Sequence, residues 1–85
     1  MKNLQELFAL YIANVPHYDP RVQGVVDNAL RFINDNFYPC TLELMSYLGN
    51  MHINDAHFTA YYEKYAPGLA AYYNEAIQHY CIVNA

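Results

Sequence analysis

The sequence predicts an all-α domain of about five helices. Three observations carry this expectation. Apolar residues recur at three- and four-residue steps along most of the 85-residue chain, the spacing of a single helix face. Prolines and capping residues punctuate those runs at intervals suited to short helices. Strict two-residue alternation, the mark of a half-buried strand, is not visible.

Asn3 opens the first helix, with Glu6 three positions later in a capping-box pattern. Leu4, Leu7, Phe8, Tyr11 and Ile12 form its apolar face. Pro16 is expected to end it, because the residue before a proline avoids the α region. Asp19-Pro20 restarts the chain: an acidic N-cap followed by proline at the first helical position. Val22, Val25, Val26, Ala29, Phe32 and Ile33 then share one face, with Asp27, Asn28, Arg31, Asn34 and Asp35 on the other. Gly24 costs this helix about 1 kcal/mol of propensity; close packing against another helix is its expected justification. The break falls near Asn36 to Pro39.

Thr41 opens the third helix, and Glu43 lies in its first turn, where the dipole favours an anion. Leu44, Leu48 and Met51 share a face, with Met45 and His52 beside it. Asn54-Asp55 closes this helix and starts the fourth, along which Phe58, Tyr61, Tyr62 and Tyr65 repeat. Pro67 is placed at the start of the last helix, where Leu69, Tyr72, Tyr73, Ala76, Ile77 and Tyr80 form a wide apolar face. No internal repeat or low-complexity linker divides the chain, so residues 1–85 are read as one domain.

Composition narrows the function. Hydrophobic residues make up 55% of the chain, with ten tyrosines, four phenylalanines and no tryptophan. Tyrosine joins an apolar plate to a polar tip, so this stock suits either the rim of a small core or the lining of a cleft. Net charge is −4, and the four cations Lys2, Arg21, Arg31 and Lys64 are scattered. No basic stripe exists to neutralise phosphates, so direct nucleic-acid binding by this chain is not expected. No stretch has the length of a membrane span, and Asn3, Gln5 and Glu6 interrupt any signal-like apolar run. The expected setting is the cytoplasm, with Cys40 and Cys81 reduced.

Catalytic and metal chemistry find little support. His52 and His57 flank the Asn54-Asp55 turn, but their spacing crosses a helix break and matches no zinc pattern. Cap contacts and surface exposure are their expected roles. Cys40 has no nucleophile motif or oxyanion signature around it and reads as a small buried thiol. No cofactor motif is present, and no enzyme activity is expected.

One stretch is more specific. Between Phe37 and Ile77 stand, in order, Tyr38 and Cys40, Glu43, Leu48-Gly49, Met51, Asp55, Phe58-Thr59, Pro67-Gly68-Leu69-Ala70 and Glu75-Ala76-Ile77. In these residues the chain resembles the TipAS-type drug-recognition domain, the effector-binding module of some MerR-family transcription regulators. The resemblance covers about the last fifty residues. It implies a single globin-like helical domain with a cleft beside the third helix for bulky apolar antibiotics. In full regulators of this kind a separate N-terminal winged-helix domain and a long dimerisation helix contact DNA and pair the subunits; neither is read in these residues. Departures accompany the matches. Tyr47 stands where thiopeptide sensors carry a cysteine that bonds to the drug, Met45 follows Leu44 where the family often has a histidine, His52 replaces a tyrosine, and His57 replaces an arginine. They imply non-covalent binding and a different ligand.

The residues expected at the cleft are large, flexible or amphipathic: Phe37, Tyr38, Met45, Tyr47, His52, Tyr62 and Tyr73. The same spacing also suits plain core. Gly49, Phe58 and Pro67-Gly68 are expected to hold the frame rather than the ligand, with Gly49 either letting two helices approach or bending the end of its own. The function expected is non-catalytic binding of a hydrophobic small molecule or peptide antibiotic, as the sensor of a MerR-type regulator or as a drug-sequestering protein. The alternative is a helical protein-interaction or dimerisation module presenting the same tyrosines.

Overall fold

The computed structural model describes residues 2–85, with side chains from Leu4 onward. Among these residues are five α-helices and no strand: α1 Lys2–Ile12, α2 Pro20–Asn36, α3 Leu42–Asn54, α4 Ala56–Glu63 and α5 Leu69–Val83. α5 packs against all four of the others. It can do so because its apolar surface is broad: Leu69, Ala70, Tyr73, Ala76, Ile77 and Tyr80 are buried, with Asn74 among them. Leu7 from α1 and Val22, Val25 and Val26 from α2 complete the sealed centre with Leu69 and Ile77. Each such side chain contributes about 1.5–3 kcal/mol by leaving water.

Local chemistry sets the helix ends. α1 already includes Asn3, so this residue is not its cap, and the proposed capping side chain lies outside the described residues. Nor does Pro16 end α1. Asn14 adopts φ 60°, and the Val15 and Asn14 amides donate back to the Leu10 and Tyr11 carbonyls at 3.0 Å each. This pair of bonds is a Schellman turn, in which asparagine tolerates the left-handed conformation better than most residues. Asp19 caps α2 as expected, accepting from the Arg21 amide at 2.9 Å. Thr41 caps α3 through the Leu44 amide at 3.1 Å. The Asn34 side chain accepts from the Cys40 amide at 2.6 Å and so ties down the loop between α2 and α3.

The two helical glycines do different things. At Gly49 a Cβ would meet Ile77 Cγ2 at 2.8 Å and Asn74 Oδ1 at 2.9 Å. α3 and α5 therefore cross there almost backbone to side chain, as expected for this residue. Beside the crossing, Gln78 Nε2 donates to the Ser46 carbonyl at 2.9 Å and Ser46 Oγ donates to Gln78 Oε1 at 2.7 Å. Gly24 corrects an expectation. It is exposed, and a Cβ there would meet nothing within 4 Å. No helix packs against it.

α4 is pinned at its ends by hydrogen bonds, and along its length Tyr62 is the side chain that packs on the core. Asp55 caps it through the His57 amide at 2.9 Å, and Thr59 Oγ1 donates to the His52 carbonyl at 2.7 Å. At the far end the Glu63 carboxylate accepts from the Gly68 and Ala70 amides at 3.0 and 3.1 Å. These bonds hold that carboxyl below its usual pKa and cap α5 from outside. α5 accordingly starts at Leu69 with Gly68 as its cap, and Pro67 lies in the preceding turn rather than in the helix. Gly68 has φ +87°, and a Cβ there would meet the Tyr11 hydroxyl, which itself donates to the Pro67 carbonyl at 2.5 Å. Between these clamps α4 buries no residue.

Candidate functional site

A cleft opens where α4 covers its neighbours only in part. The apolar stripe of α2 outruns its cover: Val22 is fully buried, whereas Phe32 is 45% exposed. Ala29, Phe32, Ile33 and Phe37 form one wall of a cavity of about 350 Å³; Met45, Leu48, Tyr73 and Ile77 are contributed by α3 and α5, and His52, Phe58 and Tyr62 also line it. Met45, Leu48 and His52 line it together because positions three and four apart share a helix face. A more open hollow of about 320 Å³ lies on α4 at His57, Phe58, Tyr61 and Tyr62.

Among the described residues, the lining carries no Asp, Glu, Lys or Arg. Its ionisable groups are driven neutral. Burial pushes the His52 imidazole down to about 4. Burial, reinforced by Tyr61, pushes the Tyr62 phenol up to about 12. Tyr73, buried beside Tyr62, is raised still more strongly. At neutral pH the cleft is thus uncharged, apolar and rich in aromatic faces. His52 is its most constrained polar group. Its ring stacks on Tyr73 with centroids 5.0 Å apart and planes 13° apart. Tyr62 meets it nearly edge-on at 4.9 Å, and Phe58 lies 5.8 Å away. At the mouth, Phe32 and Phe37 pack edge to face at 5.7 Å.

Of the residues expected at the cleft, Phe37, Met45, His52, Tyr62 and Tyr73 come together there. Tyr38 and Tyr47 do not. Tyr47 is two positions from Met45, so it points to the opposite side of α3, where it is 61% exposed;. Tyr38 lies in the loop after α2, outside the lining. Phe58, expected to hold the frame rather than the ligand, is 41% exposed and lines the cleft. Phe32, Ile33 and Ile77 were legible only as core. The one available signal was an α2 stripe six apolar residues long, more than one neighbour covers. Of the two readings of His52, the cleft position is the one the structure places, half-buried in the cleft wall, and the cap or surface role is not. Cys40 and Cys81 are free thiols and neither lines the cleft. Burial raises the pKa of both, which disfavours the reactive thiolate.

This geometry has relatives. The family model of the TipAS antibiotic-recognition domain matches residues 1–80. The chain belongs to that family, and the match takes in the first helices as well as the run from Phe37 to Ile77. It is 38% identical over 63 residues to the HTH-type transcriptional activator mta of Bacillus subtilis (strain 168), an alignment covering 74% of this chain and 24% of that protein. Its fold matches TipAS of Streptomyces lividans, solved in complex with the thiopeptide nosiheptide, with a TM-score of 0.89 and 27% identity over 99% of this chain and 59% of that one. The all-α, globin-like architecture is therefore shared. The chain spans about a quarter of the curated relative and about three fifths of the solved one.

Proposed function

We propose that this chain is the effector-sensing domain of a MerR-type transcription regulator, or a drug-sequestering relative, acting in the cytoplasm. It holds a bulky hydrophobic small molecule or peptide antibiotic in the cleft between α2, α3, α4 and α5, without catalysis and without a covalent bond. The observation that supports this most directly is the uncharged aromatic lining. Such a surface gains from apolar burial, at about 25 cal/mol per Å², and offers nothing to a strongly charged ligand. DNA contact in a longer regulator would fall to another domain, since the cations here are four and dispersed.

Calorimetric titration with nosiheptide and with a set of apolar dyes tests the reading. Saturable binding near 1 µM, about −8 kcal/mol, is expected for at least one of them. It should disappear in Ile33→Trp, which fills the cleft from α2. Absence of binding by all of them up to about 100 µM, or binding that Ile33→Trp leaves intact, would refute it. A second reading, self-association or partner binding, draws on the exposed Phe58, Tyr61 and Tyr65 of the α4 region. Light scattering across a concentration series separates the two.

A further inference from the structure

His52 carries a polar atom that the fold leaves unanswered. Its Nδ1 is buried and has no hydrogen-bond partner among the described residues. The ring cannot turn to find one, because Tyr73 covers its face and Tyr62 and Phe58 crowd it. A neutral imidazole carries one proton, and burial keeps this ring neutral;. An orphaned buried N–H is rarer and costlier than an orphaned acceptor. The proton therefore belongs on Nε2, and Nδ1 keeps its lone pair. Nε2–H is then the donor of a ring that lines the cleft, and it meets no acceptor among the described residues.

We infer that His52 is the specificity-determining residue of the cleft, donating from Nε2 to an acceptor, a carbonyl oxygen or an azole nitrogen, on an uncharged aromatic ligand. This deepens the proposed function and rests on it. The rest of the lining supplies ring faces and aliphatic surface, with the Tyr62 and Tyr73 hydroxyls as its other polar atoms. Those surfaces choose by shape. His52 chooses by chemistry, because an occupant without an acceptor leaves the donor desolvated and unpaired.

Three tricyclic probes of nearly equal size isolate the effect: fluorene, with no polar group; carbazole, with a donor only; and 9-fluorenone, with an acceptor. For the wild type, 9-fluorenone is expected to bind about tenfold tighter than either of the others, the worth of one net hydrogen bond. His52→Phe keeps an aromatic ring against Tyr62 and Tyr73 and should erase that advantage, tightening fluorene, which no longer strands a desolvated donor, as it weakens 9-fluorenone. His52→Gln, which retains an amide donor, should restore part of it. The imidazole nitrogen chemical shifts give an independent readout: 9-fluorenone should move Nε2 and not Nδ1. Equal binding of all three probes would overturn the inference and leave the cleft reading standing. So would a preference for carbazole, or an advantage that survives in His52→Phe. If none of the probes binds up to about 100 µM, the inference falls, while the cleft reading is decided separately by the calorimetry with nosiheptide and the dyes.

Discussion

The same substitution, glycine to alanine, should have opposite effects at Gly24 and Gly49. In a helix interior alanine is favoured over glycine by about 1 kcal/mol, because glycine loses more backbone freedom on folding. At Gly24 nothing opposes that gain, since the new methyl would meet no atom within 4 Å. Gly24→Ala is expected to stabilise by up to about 1 kcal/mol. At Gly49 the methyl would sit 2.8 Å from Ile77 Cγ2, 2.9 Å from Asn74 Oδ1 and 3.1 Å from Gln78 Nε2. Ile77 is fully buried and cannot yield without moving the core. Asn74 and Gln78 are held by their mutual hydrogen bond at 3.0 Å and by the bond from Gln78 to Ser46. Overpacking of this kind costs about 1–3 kcal/mol, and the broken polar contacts cost about 1 kcal/mol more. After the propensity gain is subtracted, Gly49→Ala should destabilise by about 1–3 kcal/mol. With a gap of about 2–4 kcal/mol, the two variants should melt about 8–32 °C apart, at about 4–8 °C per kcal/mol for a domain of this size. Circular dichroism at 222 nm, followed through thermal and urea unfolding, measures this. A Gly49→Ala protein as stable as Gly24→Ala would refute the claimed closeness of α3 and α5.

Stability should also depend on His52. Its folded pKa lies below the ordinary 6.5, at about 4, so the unfolded chain binds the proton first as pH falls. Stability contributed by the neutral ring is therefore complete above pH 6.5 and is lost progressively down to about pH 4;. The loss is about 3 kcal/mol for a sealed ring and about 2 for a partly exposed one. Urea titrations across this window should show it as the difference between wild type and His52→Phe; parallel curves would sink it. Phe58→Ala should weaken binding of any ligand identified by calorimetry about tenfold or more, while Tyr47→Ala should change it less than twofold, a contrast set by burial of an aromatic face. The reverse order would place the ligand on the far side of α3. Intact-mass spectrometry after incubation with nosiheptide should show no adduct, because Cys40 is buried with its pKa raised and Tyr47 lies off the cleft. An adduct that vanishes in Cys40→Ser would contradict this.

What the amino-acid order determines by itself is local. Asp19-Pro20, Thr41 and Asp55 start helices wherever they stand, because a cap and the amide it satisfies lie within one turn of each other. The helical period of the apolar residues likewise needs no partner to be legible. The tertiary structure decides whatever depends on a second element. Gly24 and Gly49 look alike in sequence, and only the crossing of α5 makes one of them close-packed. Val22 and Phe32 belong to one stripe, yet the first is sealed and the second opens a cleft, because cover on α2 ends before the stripe does. Tyr47 faces solvent and Phe58 lines the cleft for the same reason: the direction each helix faces is set by its neighbours. The caps of α5 come from Glu63 and those of the preceding turn from Tyr11, groups that meet only once the chain has folded. Burial is a property of pairs of surfaces, and a sequence displays those surfaces one at a time.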